Sequence, residues 1–333
     1  MYPSYMFLLH TWRTFFCNEF KLVLWHGYCY FSETSFGHAY CKENTSMADI
    51  AFFGLGTMGL PMALNLLKAG HCLHVMPFRG IMEGPREVER LGGVIHDNLE
   101  GMLEKAEFII SVVPNDDSVR DIYLNETMKN AVRPGSIIIE MTSCSPEVVQ
   151  EVEAYYADKN VGVIDAPITG ALPKAIDGTL TIMGAGRAED FQRAEAVFAP
   201  MAEKVFQLGK VGNGKLIKAM TNLLGAVNLA AVGEFYRFAS AMGLNMEEVA
   251  EVVKKSAGGS TQFDRNFFKM VEDNYKPTFT LALLRKDMGI ALQCAEKHPE
   301  LALPLSRLAY DLYRQASDYD KDDCSSIARL KNV

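Results

Sequence analysis

The sequence predicts a doubly wound α/β sheet followed by an all-α C-terminal domain, with a long helix joining the two. Short apolar runs alternate with amphipathic segments from Asp49 to about residue 210, and strands that alternate with helices form parallel, doubly wound sheets. A glycine-rich turn directly follows the first of these runs. Beyond Gly214 the strand signals stop, and Lys215–Met242 is a proline-free run rich in Ala, Leu and Met, which as one helix would span roughly 40 Å.

Seven segments have the apolar character of buried strands. The first is followed by a helix-like stretch through Lys68. In chain order the predicted strands are Ile50–Phe53, Cys72–Met76, Phe108–Val113, Ser136–Glu140, Gly162–Asp165, Leu180–Gly184 and Lys204–Leu208. We therefore expect one domain over residues 47–210 and a helical domain over residues 211–333.

Composition excludes several classes of protein. The chain has 333 residues, a formal charge of −8, 49% hydrophobic and 22% charged residues, which is too apolar for a disordered chain. The pI of about 5.5 argues against a nucleic-acid partner, since phosphate binding needs clustered cations. No uninterrupted apolar run reaches the roughly 18–20 residues that cross a bilayer, so we expect no membrane association. Seven cysteines without a CxxC pair indicate reduced thiols and a cytoplasmic protein.

Residues 1–46 differ in character from the remainder. They contain both tryptophans, Trp12 and Trp25, and their three basic and three acidic side chains cancel. They lack the plan of a secretory signal and are not acid-poor, as a mitochondrial presequence would be. We interpret them as a leader outside the fold, such as a start-site artefact, with Met47 as the working start. A presequence for the mitochondrial matrix is the less favoured alternative.

The glycine-rich turn predicts a dinucleotide site. Gly54, Gly56 and Gly59 form a GxGxxG that ends a strand and opens a helix, the context in which a Rossmann-type fold binds a pyrophosphate at the helix N-terminus. Thr57 and Met58 lie within the same turn. The residues that distinguish NAD from NADP at the ribose are expected at the end of the second strand. There, Met76-Pro-Phe-Arg-Gly80 precedes the first acid, Glu83. Arg79 there favours NADP over NAD, although a solvated loop arginine fits the sequence nearly as well.

The segment Gly54-Leu-Gly-Thr-Met-Gly-Leu-Pro-Met-Ala-Leu-Asn-Leu-Leu-Lys-Ala-Gly-His71 resembles the opening signature of the β-hydroxyacid dehydrogenases, the family of 3-hydroxyisobutyrate dehydrogenase and tartronate semialdehyde reductase. Four further blocks follow in the family's order, so the resemblance covers residues 47–333. It implies a Rossmann-type NAD(P)-binding domain, a long connecting helix and an all-α domain for substrate binding and oligomerisation. It also implies a homodimer or homotetramer. The same resemblance implies that Pro114 and Asn115, after the third strand, contact the cofactor. An ordinary turn at the end of a strand explains these two residues equally well.

Two blocks resemble the family's substrate loops. In Glu140-Met-Thr-Ser-Cys-Ser-Pro146, Thr142 and Ser143 stand at the family's Ser-Thr pair. The resemblance implies that Ser143 also contacts the cofactor. In Asp165-Ala-Pro-Ile-Thr-Gly-Ala171, Thr169 and Gly170 match the carboxylate-binding pattern, while Ala171 replaces its second glycine. Lys174 stands where glycine is common and would add a cation. These departures bear on which substrate binds more than on the chemistry.

The last two blocks carry the proposed proton chemistry. Gly212-Asn-Gly-Lys-Leu-Ile-Lys-Ala-Met-Thr-Asn222 resembles a pattern that selects Lys218, rather than Lys215 or Lys210, as the catalytic residue. Asn222 lies one helical turn later, on the same face, where the resemblance implies that it binds substrate and holds Lys218 and the substrate oxygen in register. Phe279-Thr-Leu-Ala-Leu-Leu-Arg-Lys-Asp287 implies that Lys286 contacts cofactor or substrate and that Asp287 orients a neighbour.

Together these blocks predict an NAD(P)-dependent oxidoreductase that interconverts a small 3-hydroxy acid, or 4-hydroxy acid, and its semialdehyde. Lys218 would be the general acid and base, with no metal. Two alternatives stay open: a non-catalytic dinucleotide-binding scaffold of the same fold, and an enzyme similar to the imine reductases, which replace the catalytic lysine. A 6-phosphogluconate dehydrogenase is disfavoured, because it needs His-Asn after the lysine and this chain has Thr221-Asn222.

Overall fold

A computed structural model of the chain describes residues 47–77 and 80–330. These residues belong to one compact unit. The predicted leader, residues 1–46, and Arg79 lie outside the described residues, so the interpretations placed on them stay predictions.

Six parallel strands form the main sheet, in the order β3-β2-β1-β4-β5-β6. This order belongs to the Rossmann-type fold, and the predicted fold class is confirmed. The strands of the described residues are β1 (Asp49–Phe53), β2 (Cys72–Val75), β3 (Val94–Ile95), β4 (Phe108–Ser111), β5 (Ile137–Glu140), β6 (Gly162–Asp165), β7 (Ile168–Thr169), β8 (Leu180–Gly184) and β9 (Ala202–Gln207). The last three form a separate sheet, in which β8 pairs antiparallel with β7 and parallel with β9.

Helices cover both faces of the main sheet and form the C-terminal half. They are α1 (Gly59–Lys68), α2 (Glu83–Arg90), α3 (Leu99–Leu103), α4 (Asp116–Tyr123), α5 (Glu126–Ala131), α6 (Pro146–Tyr155), α7 (Ala171–Asp177), α8 (Ala188–Phe198), α9 (Asn213–Ala241), α10 (Met246–Lys254), α11 (Thr261–Val271), α12 (Leu281–Glu296) and α13 (Pro304–Gln315). Three 3₁₀ segments, Ala157–Lys159, Ser317–Tyr319 and Cys324–Arg329, complete the described elements.

The central strands are buried on both faces. All four residues of β4 and of β5 are buried, as expected of parallel strands covered by helices on each side. Ile110 and Ile139 pack with α1 residues such as Met62 on one face, whereas Ile109 and Ile138 face a second core on the other. The carboxyl ends of these strands are thereby fixed beside one another, at the edge where α/β sheets bind ligands.

The long helix α9 organises the C-terminal half. Its buried residues, among them Leu223, Ala226 and Leu229, pack in one core with residues of α11, α12 and α13. By length and composition alone α9 is also able to cross a membrane, since an 18-residue window has a mean hydropathy of 1.4, with 39% of that window buried. The sequence did not predict a helix of this kind, because polar residues interrupt the apolar ones in α9. Core helices of soluble proteins pass the same test, so it is weak evidence for a membrane span.

Candidate active site

The glycine-rich turn between β1 and α1 leaves open space where a pyrophosphate would bind. Gly54 has a φ of +90°, and a Cβ there would lie 2.0 Å from the Val112 carbonyl oxygen. A Cβ at Gly59 would lie 1.9 Å from the Gly54 oxygen, whereas one at Gly56 would meet no atom of the described residues within 4 Å. Two glycines therefore permit close packing, and the third faces open space at the N-terminus of α1. This arrangement fits a dinucleotide phosphate.

The other residues predicted for the cofactor fall around this turn. Thr57 is exposed and Met58 is the half-buried N-cap of α1. Pro114 and Asn115 are exposed after β4. The Asn115 side chain accepts hydrogen bonds from the backbone nitrogen of Ser118 at 3.0 Å and from its hydroxyl at 2.9 Å. Asn115 is thus the N-cap of α4, and a cofactor contact by it stays a prediction.

The loop after β5 is tied to its neighbours by hydrogen bonds. Thr142 is buried, and its hydroxyl oxygen accepts a bond from the backbone nitrogen of Val113 at 3.0 Å. This leaves the hydroxyl hydrogen as a donor. Ser143 is half-buried, and its carbonyl oxygen accepts a bond from the Lys286 ammonium at 2.5 Å. Lys286 therefore links α12 of the helical half to the loop that carries both predicted substrate-binding hydroxyls.

The second predicted substrate loop contains an unusual backbone conformation. Thr169 ends β7, and Gly170 follows with a φ of +142°. Ala171 has a φ of +60°, in the left-handed region that costs a residue with a Cβ roughly 1–2 kcal/mol. A Cβ at Gly170 would lie 2.8 Å from the Cβ of Lys174. The Lys174 stem thus covers the glycine, and its ammonium lies 3.5 Å from the Glu203 carboxylate.

Lys218 is half-buried on α9, and the charges of Lys286 and Asp287 of α12 act on it. Burial lowers its pKa; Asp287 acts in the opposite direction, and Lys286 lowers it further. The Asn222 amide donates to Asp287 at 2.6 Å, and the Lys286 ammonium lies 3.2 Å from the other carboxylate oxygen of Asp287. That second oxygen is buried with no hydrogen-bond partner among the described residues. A lysine with a lowered pKa beside an oriented amide is suited to proton transfer.

Lys215, one turn before Lys218, has a different environment. Its ammonium is completely buried, 2.7 Å from the Glu140 carboxylate and 3.2 Å from that of Asp165. Burial opposes its charge, but the two carboxylates outweigh this and raise the pKa of Lys215. The grouping of Lys215, Glu140 and Asp165 was not predicted from the sequence. The available signal was an acid at the end of each of two neighbouring strands, with a lysine in the first turn of the next long helix.

The described residues contain no group of three or more His, Cys, Asp or Glu side chains arranged to hold a metal. Cys72, Cys144, Cys294 and Cys324 are free thiols. Burial raises the pKa of the Cys144 thiol, which donates to Glu140 at 3.4 Å. Cys144 therefore lies against the carboxylate that also binds Lys215.

Comparisons with known proteins cover both halves of the chain. A family model for the NAD binding domain of 6-phosphogluconate dehydrogenase matches residues 49–209. One for the NAD-binding of NADP-dependent 3-hydroxyisobutyrate dehydrogenase matches residues 212–331. The chain is 32% identical to 3-hydroxyisobutyrate dehydrogenase of Pseudomonas aeruginosa over 301 residues, covering 85% of this chain and 98% of that protein.

Two further proteins extend the likeness. NAD-dependent L-serine dehydrogenase of Pseudomonas aeruginosa is 31% identical over 294 residues, which cover 85% of this chain and 98% of that enzyme. The solved structure of Mycobacterium tuberculosis 3-hydroxyisobutyrate dehydrogenase with L-serine matches with a TM-score of 0.78 and 28% identity. That match covers 85% of this chain and 99% of the other.

Proposed function

Because the chain belongs to the β-hydroxyacid dehydrogenase family, we propose that it interconverts a small 3-hydroxy acid, or 4-hydroxy acid, and its semialdehyde, with Lys218 as the general acid and base. The chain is an NAD(P)-dependent oxidoreductase, as its relatives are. The proposed role of Lys218 rests on its half-buried position, one turn before Asn222, where burial lowers its pKa.

The chain's own residues supply the proton and the orientation. Hydride transfer is the chemistry that a bound nicotinamide provides. During reduction the aldehyde oxygen gains negative charge, and Lys218 donates the proton that makes it an alcohol. In the oxidation direction the neutral amine accepts that proton. Such help contributes roughly 10²–10⁴ in rate. Asn222, held by Asp287, keeps its amide oxygen free to orient Lys218 or the alcohol.

The substrate carboxylate is assigned to the two loops that follow β5 and β7. Thr142 and Ser143 supply hydroxyl donors, and Thr169, Gly170 and Ala171 supply a hydroxyl and backbone N–H groups. Small residues let backbone nitrogens approach an anion closely. The positive φ of Gly170 and of Ala171 gives this loop the sharp turn that such an approach needs.

A steady-state panel tests the function. It crosses succinate semialdehyde, glyoxylate, tartronate semialdehyde and methylmalonate semialdehyde with NADH and NADPH. We expect oxidation of the reduced cofactor with at least one of them, at a kcat/KM typical of enzymes, roughly 10⁴ M⁻¹s⁻¹ or more. Cofactor binding without turnover on any member would instead favour the scaffold.

Among the two cofactors we favour NADP. The support is the sequence between Val75 and Glu83, which contains Arg79 and no acid to hold a ribose hydroxyl. The Arg79→Ala variant should lose affinity for NADPH by about tenfold or more while affinity for NADH changes little, since only the former carries a 2′-phosphate. Preference of the wild type for NADH would contradict this interpretation.

We also favour a homodimer or homotetramer, formed through the exposed face of α9. Met220, Leu224 and Phe238 lie on one face of that helix, and Met242 continues this face at the C-cap. Leu224 and Phe238 are 63% and 66% exposed. Exposed apolar patches of this kind mark interaction sites. Phe238→Asp should lower the mass measured by light scattering, whereas Val252→Asp, at an exposed valine on α10, should not. Wild-type mass in both variants would exclude this face.

A further inference from the structure

A completely buried ion cluster lies where α9 meets the carboxyl ends of β5 and β6. We call Lys215, Glu140 and Asp165 the buried triad. The lysine ammonium lies 2.7 Å from a Glu140 carboxylate oxygen and 3.2 Å from one of Asp165, and it donates to the Glu140 carbonyl oxygen at 2.8 Å. The ammonium thus has one hydrogen-bond acceptor, the Glu140 carbonyl, and forms ion pairs with two carboxylates, while the Asp165 oxygen nearest to it is buried with no hydrogen-bond partner among the described residues. No other ion pair of the described residues has both side chains completely buried.

The two carboxylates of the triad also bind backbone groups of the functional segments. Glu140 accepts a bond from the backbone nitrogen of Thr142 at 2.9 Å. Asp165 accepts bonds from the backbone nitrogens of Gly212, the N-cap of α9, at 3.0 Å and of Lys215, in its first turn, at 3.1 Å. The carboxylate of a strand end therefore caps the helix that carries Lys218.

Each member of the triad lies just before a segment assigned to the chemistry. Glu140 precedes Thr142 by two residues, and Asp165 precedes Thr169 by four. Lys215 precedes Lys218 by three residues, which is almost one helical turn. The start of α9 also packs tightly on the sheet, since a Cβ at Gly214 would lie 2.3 Å from the Met183 carbonyl oxygen. The buried triad therefore joins α9, which carries Lys218, to the two predicted substrate loops.

Buried charges and a directed hydrogen bond fix the position of α9 relative to the ends of β5 and β6 at this junction. An apolar junction tolerates small shifts of one element against another, whereas a buried lysine with one directed hydrogen bond and two carboxylates in contact does not. Catalytic groups need to be held within about 0.5 Å of their productive position, and a displacement of 1 Å can cost about 100-fold in rate. We propose that Lys215 is a positioning residue, which holds Lys218 in place relative to the substrate loops through Glu140 and Asp165.

This role rests on the proposed function of Lys218 and is separate from it. The Lys215 side chain has no exposed surface, and its ammonium contacts the carboxylates of Glu140 and Asp165, so it does not reach substrate or donate a proton to it. Removing it should therefore lower the rate of turnover and leave cofactor affinity intact.

The test compares Lys215→Met with a control variant that also removes a lysine bound to a buried carboxylate. Lys269 also binds a completely buried carboxylate, that of Asp323 at 3.1 Å, but in the helical half, outside the proposed site. At a temperature well below both melting points, Lys215→Met should lower kcat by about 10- to 100-fold, with the Kd for NADPH within threefold of wild type. Lys269→Met should lose stability and keep kcat within twofold. A kcat within twofold of wild type in Lys215→Met, or an equal loss in Lys269→Met, would overturn the proposal.

Single removal leaves two buried carboxylates without a cation, so this variant is prone to misfold. The triple variant Lys215→Met, Glu140→Gln, Asp165→Asn is uncharged and preserves side-chain size. It should regain stability and still show the reduced kcat; full recovery of kcat would show that the triad serves folding alone.

A second readout is independent of turnover. Amide hydrogen exchange in residues 213–222 should quicken in Lys215→Met and stay at the wild-type rate in Lys269→Met. Unchanged exchange in Lys215→Met would overturn the positioning role. If the wild type turns over no member of the substrate panel, the proposed function fails, and the exchange experiment still reports on the triad.

Discussion

The side-chain nitrogen of Asn222 lies 2.6 Å from a carboxylate oxygen of Asp287, and this bond joins α9 to α12. A carboxylate accepts hydrogen bonds, so the NH₂ group of Asn222 has to face it. The amide oxygen of Asn222 then points elsewhere and is available as an acceptor. Since Lys218 lies one turn earlier on the same helix, an ammonium or an alcohol near it is a suitable donor. The pair thus sets which end of the amide the reaction can use.

Removing the lysine amine tests the central assignment. Lys218→Ala should reduce kcat by at least about 100-fold, because general acid and base help contributes roughly 10²–10⁴. The Kd for NADPH, measured by fluorescence titration, should change by less than threefold. Lys210→Ala, at an exposed lysine in the preceding turn, is the matched control and should leave kcat unchanged. Turnover like that of wild type in Lys218→Ala would remove Lys218 from the mechanism.

The pH dependence follows from the lowered pKa of Lys218, for which burial is the main cause. Oxidation needs the neutral amine, so its kcat/KM should rise with pH and level off above that pKa. Reduction needs the ammonium, so its kcat/KM should fall over the same range. Both breaks should lie below the ordinary lysine value of about 10.4. A shared break at or above that value would contradict the effect of burial.

The glycine turn allows fold and cofactor binding to be separated. A Cβ at Gly56 meets no described atom within 4 Å, whereas one at Gly59 would lie 1.9 Å from the Gly54 oxygen. Gly56→Ala should therefore keep the wild-type melting temperature while weakening NADPH binding by about tenfold or more, since its methyl enters the phosphate space. Gly59→Ala should lose stability as well. Unaltered NADPH affinity in Gly56→Ala would place the phosphates elsewhere.

Most of the fold was predictable because buried parallel strands read as apolar runs. The predicted strand Gly162–Asp165 agrees with the structure, and the predicted long helix Lys215–Met242 is observed as Asn213–Ala241. The strands β3 and β7 were missed, because two residues each are too few to show a pattern.

The candidate site could be predicted only where residues near one another in sequence form it. The glycine turn and the Lys218–Asn222 spacing are local. In contrast, Lys286 binds the carbonyl of Ser143, 143 residues away, and a backbone acceptor leaves no trace in sequence. Lys215 was not assigned to the triad because a charged side chain is usually exposed unless it is paired, and its partners come from two separate strands.

Backbone strain at Ala171 predicts a stabilising substitution. Its φ of +60° disfavours a residue with a Cβ, so Ala171→Gly should raise the free energy of unfolding by up to about 1 kcal/mol. Ala175→Gly, at a buried alanine in the middle of the same helix α7, should lower it by about 1 kcal/mol. Urea denaturation of both variants measures the difference. Destabilisation of equal size at both positions would mean that Ala171 is not strained.

A stability prediction concerns Asp323 in the helical half. Its buried carboxylate accepts bonds from the hydroxyls of Thr278 at 2.8 Å and Ser325 at 2.7 Å, and Lys269 lies 3.1 Å away. Burial alone would raise the pKa of Asp323, but the hydrogen bonds from Thr278 and Ser325 outweigh it and lower the pKa. Asp323→Asn should therefore reduce the free energy of unfolding by about 1–3 kcal/mol at pH 7.

The direction of the pKa shift of Asp323 determines the pH range over which its carboxylate stabilises the fold. A carboxylate with a lowered pKa stabilises the fold at every pH above its unfolded value, about 3.9, and the contribution disappears as the pH falls through the lower folded value. The difference between wild type and Asp323→Asn should thus be constant from pH 7 to pH 5 and shrink only below about pH 3.9. Asp311→Asn, at an exposed aspartate paired with Arg314 at 3.5 Å, should change stability by less than about 0.5 kcal/mol. A difference that already shrinks between pH 6 and pH 5 would mean that burial dominates and that the pKa of Asp323 is raised.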